Sequence, residues 1–232
     1  MNKCLIFLIF LIPQMTYAQH YVNKIIPFPF GNPNFKNIEY FNGKYVIPVV
    51  YPSDSSTLIV TDLNTETYYH YVDFVFSLSA MTIVDNEMYL YAKDRNFSND
   101  LQFARLNNDF TYNWKKEIHT AGDFNFPLSS ISLGRNVFAT YIFETGNIRK
   151  FGIFNIKPDG TIKWNKVYDN NLKYATLWDL DSRNGNYILG SYNVTYTNDF
   201  NSSVRVIKID TSGQEIWKSD TLRGVNDNDD PV

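Results

Sequence analysis

Side chains that could carry out chemistry are few and scattered in this 232-residue sequence. His20, His70 and His119 lie far apart in the chain, without the short spacings of metal-ligand motifs, so we expect them at surface or turn positions. Cys4 is the only cysteine, and there is no Gly-x-Ser-x-Gly elbow or phosphate-binding loop. A pair of glycosidase carboxylates can come from distant strands and has no fixed spacing. We therefore predict no catalytic, cofactor-binding or metal-ligating residue and no cofactor.

Two polar loops are the best candidates for a ligand-binding face. They read KDRNFSND at residues 93–100 and TYTNDFNSS at residues 195–203. Charged and amide side chains around single aromatic residues are typical of adaptable recognition loops. An ordinary exposed loop is the alternative interpretation. The candidate ligand residues are Asp94, Arg95, Phe97, Asp100, Tyr196, Asp199 and Phe200.

The elements that must position these loops form a repeat. A short turn followed by an apolar strand recurs four times, and the equivalent residues Tyr45, Met88, Val137 and Tyr187 are 43, 49 and 50 residues apart. Each unit then continues with a polar loop, a second alternating strand, a tight turn and a closing strand, and one more short strand precedes each turn. Period-two alternation dominates, and no helical periodicity persists after the N-terminus.

Four-stranded units repeated every 40 to 50 residues are typical of β-propeller blades, which bury both faces against their neighbours. The sequence therefore predicts an all-β fold, a β-propeller built from four four-stranded antiparallel blades. A β-sandwich is the alternative. The expected boundaries are residues 19–36 for a lead-in, 37–222 for the propeller, with blades near 37–75, 76–118, 127–168 and 174–222, and 223–232 for an acidic tail or the start of a missing blade.

Tryptophans recur in step with the repeat. Trp114, Trp164 and Trp217 lie in three closing strands, and glycines precede two of them by four residues. A left-handed glycine suits the tight turn, and we expect the large rings to cover the gaps between blades as structural docking residues. Trp178 lies instead on an inner strand, where we expect a blade-to-blade core position or one near the central channel.

This pattern resembles the tryptophan-docking repeats of quinoprotein-like (PQQ-like) β-propellers, which run roughly Asp-x-x-Thr-Gly-x-x-x-Trp. Asp210, Gly213 and Trp217 match it with one residue fewer between Asp and Gly. Gly160 and Trp164 match with Asp159 displaced, and the unit of Trp114 lacks the glycine. The resemblance covers residues 37 to 222 and implies an architecture. It does not imply a quinone cofactor.

The first residues predict export. One lysine, an apolar run and a small-residue end at Ala18 are the order of a signal peptide, 1–18, whose apolar run is too short for a membrane anchor. Cleavage near Ala18 would leave 20 basic and 24 acidic residues, a net charge of −4. We therefore expect a secreted bacterial protein, periplasmic or extracellular, without a nucleic-acid partner.

These features favour a secreted, non-catalytic binding module for a protein or glycan. The alternatives are an extracellular glycan-acting hydrolase or lyase, and a truncated piece of a larger propeller protein. Self-association through open blade edges is a further expectation.

Overall fold

The computed structural model describes residues 34–35, 38–50, 56–61, 67–70, 78–93, 100–120, 124–146, 148–168, 174–183, 187–195 and 202–220. Strands account for all of the regular structure in these residues. No helix in them is long and apolar enough to cross a membrane. The strands are β1 (Asn34–Phe35), β2 (Glu39–Phe41), β3 (Lys44–Val50), β4 (Ser56–Thr61), β5 (Thr67–His70), β6 (Leu78–Val84), β7 (Glu87–Lys93), β8 (Leu101–Leu106), β9 (Tyr112–Ile118), β10 (Phe124–Leu133), β11 (Asn136–Thr145), β12 (Ile148–Ile156), β13 (Ile162–Tyr168), β14 (Tyr174–Arg183), β15 (Tyr187–Thr195), β16 (Ser202–Asp210) and β17 (Glu215–Lys218).

Four antiparallel meanders, called blades 1 to 4 below, follow one another along the chain. Blade 1 contains β1 to β5, and its inner strand is divided, since β1 and β2 both pair with β3. Blade 2 is β6-β7-β8-β9. Blade 3 contains β10 to β13, and blade 4 contains β14 to β17. A single parallel pair, Arg149 with Tyr174, connects blades 3 and 4.

The hydrophobic core lies between the blades. One cluster joins blade 1 to blade 2, a second joins blade 2 to blade 3, and a third joins blade 3 to blade 4. Successive residues of one strand enter different clusters: Tyr89 faces blade 3, whereas Leu90 faces blade 1. This follows from the period of two in a strand, which turns alternate side chains to opposite faces. Blades 2 and 3 each bury both faces against a neighbouring blade, as the blades of a propeller do, so the all-β, four-blade prediction is confirmed and the two-sheet sandwich is excluded.

Inner strands are longer and less regular than the sequence predicts. The pairing of each complete inner strand with its neighbour shifts register, between Leu78 and Ala80, between Pro127 and Ser130, and between Leu177 and Asp179. Such bulges bend and twist a strand. The alternation expected through Trp178 is therefore interrupted at that residue, whose side chain lies outside the described residues.

Tight turns join the third and fourth strands of blades 3 and 4. Gly160 and Gly213 have φ values of +78° and +77°, and their N–H groups donate to Lys157 (2.8 Å) and Asp210 (2.9 Å). The carboxylate of Asp159 accepts from Thr161 N (2.8 Å), and that of Asp210 accepts from Ser212 N (2.8 Å). Hydrogen bonds from Thr161 lower the pKa of Asp159, and those from Ser212 and Gln214 lower the pKa of Asp210, because they favour the charged form.

Two tryptophans pack on these turns of the following blade. The indole N–H of Trp114 donates to the carbonyl of Pro158 (3.2 Å), and its ring lies against Gly160. The indole N–H of Trp164 donates to the carbonyl of Thr211 (3.1 Å), and its ring lies against Gly213. A Cβ on Gly160 or Gly213 would come within about 3 Å of these rings, so glycine is required by both backbone conformation and space.

The turn of blade 2 carries Phe110 where blades 3 and 4 have glycine. Phe110 has a φ of +65°, unusual for a bulky residue, and its ring meets Phe41 of blade 1 edge-on at 6.1 Å. Blade 1 has no tryptophan in its closing strand, TYYH. A phenylalanine ring therefore packs toward blade 1 at the turn where, in later blades, an indole packs on glycine.

Candidate functional site

A cavity of about 250 Å³, called the central cavity below, lies where the inner strands of the four blades approach one another. Residues of all four inner strands line it. Five of the seven have polar side chains. The lining residues are Glu39, Thr82, Ile83, Ser130, Ile131, Ser132 and Asp181.

Hydroxyl groups of two neighbouring blades contribute to the lining of this central cavity. The hydroxyls of Thr82 and Ser130 are hydrogen-bonded to each other across blades 2 and 3. Next to Ser130, the buried hydroxyl of Thr140 accepts from Ser129 N (3.2 Å) and donates to Ser129 O (3.3 Å). These bonds lie within the Pro127–Ser130 bulge, so the bulge that breaks the alternation of β10 also places serines at the cavity.

Two carboxylates also contribute to the lining. Glu39 begins β2 of blade 1, and Asp181 lies near the end of β14 of blade 4, so both acids belong to the same cavity although 142 residues separate them in the chain. Asp181 is exposed and Glu39 is half-buried. Two carboxylates beside hydroxyls form a surface that accepts and donates hydrogen bonds to a polar ligand.

Three residues that line the central cavity lie near the first hairpin turn of their blade. Thr82, Ser132 and Asp181 stand close to the ends of their strands, beside the first hairpin turn of each blade. The loop candidates Asp94, Arg95, Phe97, Tyr196, Asp199 and Phe200 lie outside the described residues, so the binding face expected at the loops stays a prediction.

Asp100 is the one predicted loop residue that the structure describes. Its carboxylate pairs with Nδ1 of His119 at 2.8 Å, and this hydrogen bond raises the pKa of His119. Glu117 completes a group in which the ligand atoms of all three side chains lie within 4.8 Å of one another. His119 is exposed, as expected from the sequence, but its imidazole pairs with Asp100 and lies close to Glu117.

A second cavity, of about 430 Å³, lies beside the turns of blade 2. Its main charges are paired: Arg105 binds Glu87, which also accepts from the hydroxyl of Tyr89 (2.7 Å). Burial is the main cause that raises the pKa of Tyr89. Asp85 in turn pairs with Arg135 of blade 3 at 2.8 Å. The arrangement supports the turns and leaves the central cavity as the stronger candidate site.

Sequence reasoning did not identify Glu39, Thr82, Ser130, Ser132 or Asp181 as site residues. Each stands in or beside an alternating strand and has no spacing relationship to the others. The signal that was available is positional: polar residues near the ends of successive inner strands must approach one another if the units form a propeller.

No family model matches the chain, and no curated protein matches it. Among solved structures, an endo-arabinanase from Bacillus licheniformis shares 14% identity over 78% of this chain and 75% of its own, with a TM-score of 0.42. The Nup133 β-propeller domain of Vanderwaltozyma polyspora shares 14% sequence identity over 83% of this chain and 63% of its own, with a TM-score of 0.43. An apocarotenoid oxygenase mutant from Synechocystis shares 12% sequence identity over 78% of this chain and 47% of its own, with a TM-score of 0.46. The chain thus spans less than half the length of that oxygenase. Similarities of this size carry no functional argument, and the propeller assignment rests on the blades and their cores.

Proposed function

We propose that this protein is a secreted, non-catalytic β-propeller of the tryptophan-docking type that binds a glycan through its central cavity. The observation that carries the proposal is the polar lining, which combines the hydroxyls of Thr82 and Ser130 with the carboxylates of Glu39 and Asp181. Sugar hydroxyls both donate and accept hydrogen bonds, so such a mixed lining suits them.

The size of the cavity limits the ligand. Pockets for drug-sized molecules enclose roughly 300–1,000 Å³, and this cavity of about 250 Å³ is smaller. It therefore fits one sugar unit or one polar protein side chain, with the remainder of the ligand lying on the outer surface.

Features of the sequence support the remaining parts of the proposal. The signal-peptide pattern of residues 1–18 supports export, and the Asp210–Gly213–Trp217 pattern supports the tryptophan-docking type. Self-association through open blade edges belongs to the same proposal, since the described residues contain no core cluster joining blade 1 to blade 4.

A glycan-acting hydrolase or lyase is the second candidate. It is favoured by one observation, the presence of two carboxylates on a single cavity. Glycosidases use such pairs as acid with nucleophile, or acid with base.

One set of variants separates the two functions. Binding to a glycan array identifies the ligand, and calorimetry then compares the wild type with Glu39→Gln and Asp181→Asn, with Glu215→Gln as a carboxylate control far from the cavity. We expect at least tenfold weaker binding for both cavity variants, no change in the control, and no product after prolonged incubation with the glycan.

Two results would contradict the binding module. Release of new sugar ends or unsaturated products by the wild type, abolished by either cavity substitution, would establish the enzyme instead. Absence of glycan binding, or binding that both cavity substitutions leave unchanged, would remove the central cavity as the site.

A further inference from the structure

Asp100, Glu117 and His119 of blade 2 form a group of potential metal ligands on the outer strands of the blade, away from the central cavity. Asp100 directly precedes β8, Glu117 lies near the end of β9, and His119 follows β9. In the antiparallel register Leu101 pairs with Ile118 and Gln102 pairs with Glu117. Asp100 therefore stands opposite His119, and Glu117 lies on the same face as His119, two residues before it.

From this arrangement we infer that Asp100, Glu117 and His119 form a binding site for a divalent transition-metal ion, with Zn²⁺ as the expected ion. The site is separate from the proposed glycan cavity and does not depend on it.

The donor set selects the class of ion. Imidazole nitrogen is a ligand of Zn²⁺ and other transition metals, whereas Mg²⁺ and Ca²⁺ prefer oxygen ligands alone. Histidine nitrogen and carboxylate oxygen are both zinc ligands, and zinc sites with three protein ligands complete their coordination with water. His119 has 78% of its side chain exposed, which leaves room for that water.

Distances in the group are compatible with coordination. Ligand atoms around a tetrahedral zinc ion at about 2.0–2.1 Å stand roughly 3.3 Å apart. The ligand atoms here lie within 4.8 Å of one another, so side-chain rotations that close the widest gap by about 1.5 Å complete the site. The 2.8 Å contact between His119 and Asp100 is at present a hydrogen bond, and a metal ion would displace its shared proton.

The surrounding structure restricts the positions of both carboxylates. Asp100 has only 18% of its side chain exposed. The amide of Gln102, itself buried, lies 3.5 Å from Oε1 of Glu117 as a donor. A hydrogen bond that orients a ligand in this way is a usual feature of metal sites. Sequence spacing gives no sign of the site, because the β8–β9 hairpin alone brings residue 100 beside residues 117 and 119.

The test is a titration of the untagged full chain with Zn²⁺, followed by calorimetry. We expect one strong site per chain, with affinity at least tenfold lower in His119→Gln, Asp100→Asn and Glu117→Gln, since even loss of a residue that orients a ligand costs about 10–100-fold. His70→Gln is the matched control and should bind like the wild type. In the wild-type protein, Zn²⁺ should shift the imidazole NMR signals of His119 and leave those of His20 and His70 unchanged.

Three results would overturn the inference. They are the absence of a strong Zn²⁺ site, an affinity that His119→Gln leaves unchanged, and NMR shifts at His20 or His70 in place of His119. The NMR measurement uses the unaltered chain, so it decides the question even if a variant folds poorly.

Discussion

The closing-strand tryptophans hold equivalent positions in three blades but lie in different surroundings. Trp114 pairs across the hairpin with Arg105, Trp164 with Asn155 and Trp217 with Lys208. The first two indoles bind the turn of the next blade, and Trp164 also contacts Phe138 at 5.7 Å. The side chain of Trp217 is 52% exposed and makes no hydrogen bond or ring contact with a described residue. The same residue type is thus a docking group where its indole reaches the glycine turn of the next blade, as the indoles of Trp114 and Trp164 do.

This difference predicts unequal stability effects. Trp164→Ala should lower the free energy of unfolding by about 3–5 kcal/mol, the range for removal of a large aromatic side chain from a packed site. The sequence pattern alone predicts the same loss for Trp217→Ala, but because its ring is half exposed we now expect about 1 kcal/mol. Denaturant unfolding of both variants checks this, and equal losses would contradict the docking role of Trp164.

At the scale of elements, the turns connect blades as well as strands. In blade 4 the turn at 210–214 is held by its own hydrogen bonds, and its glycine then forms a flat surface for the Trp164 ring. Lys116 adds a second contact of this kind between blades 2 and 3, since its ammonium group donates to the carbonyl of Asp159 (2.7 Å). Turn residues therefore contribute to packing between blades.

Alanine substitutions at two turns can separate backbone strain from docking. Gly134 has a φ of +60° with nothing near its Cβ position, so Gly134→Ala should cost only the left-handed backbone penalty of roughly 1–2 kcal/mol. Gly213→Ala adds a clash with Trp164 and should cost about 1–3 kcal/mol more. Chemical unfolding measures both losses.

A double-mutant cycle tests the cause. In a Trp164→Ala background the cost of Gly213→Ala should fall toward that of Gly134→Ala, because the clashing ring is gone and the remaining neighbour, Cδ of Lys166 at 3.0 Å, belongs to a flexible side chain that can move aside. An unchanged cost would show that the ring does not explain the requirement for glycine.

At the scale of the whole molecule, every blade depends on its neighbours. The three core clusters link the blades in series, and blades 2 and 3 each contribute side chains to two clusters. A blade removed from this series would expose at least one apolar face. Stability is therefore shared along the chain, as in other repeat proteins in which each unit buries its surface against the next.

Cooperative unfolding is the expected consequence. Phe138, fully buried between blades 3 and 4, is a suitable probe: Phe138→Ala should lower the single melting temperature by about 10 °C, from a loss of roughly 3–5 kcal/mol. Circular dichroism and tryptophan fluorescence should give coincident melting curves. Two separate transitions, only one of which moves in the variant, would show that the blades unfold independently.

Much of the architecture was predictable from local patterns. The turn residues Asn42, Asp85, Asn86 and Gly160 have the positive φ values expected of tight turns, because glycine and asparagine or aspartate tolerate that backbone best. Alternating residues such as Tyr89 and Leu90 face opposite cores. Both signals depend on neighbouring residues alone, so they are visible without the fold.

Long-range features were not predictable in the same way. The bulges of β6, β10 and β14 change which residues face the centre, and the divided inner strand of blade 1 has no counterpart in the repeat pattern. The grouping of Glu39 with Asp181, and of Asp100 with His119, depends on contacts between strands rather than on spacing along one strand.

The sequence by itself determined the strands, the hairpin turns, the number of repeated units and the blade-to-blade character of the core, because periodicity and turn chemistry are local properties of a chain. Only the tertiary structure decided which polar residues meet at the central cavity, which tryptophans pack on a glycine turn, and that Asp100, Glu117 and His119 meet at the edge of blade 2. These outcomes depend on the register of paired strands and on the packing of one blade against the next, and register is set by the summed burial of many side chains.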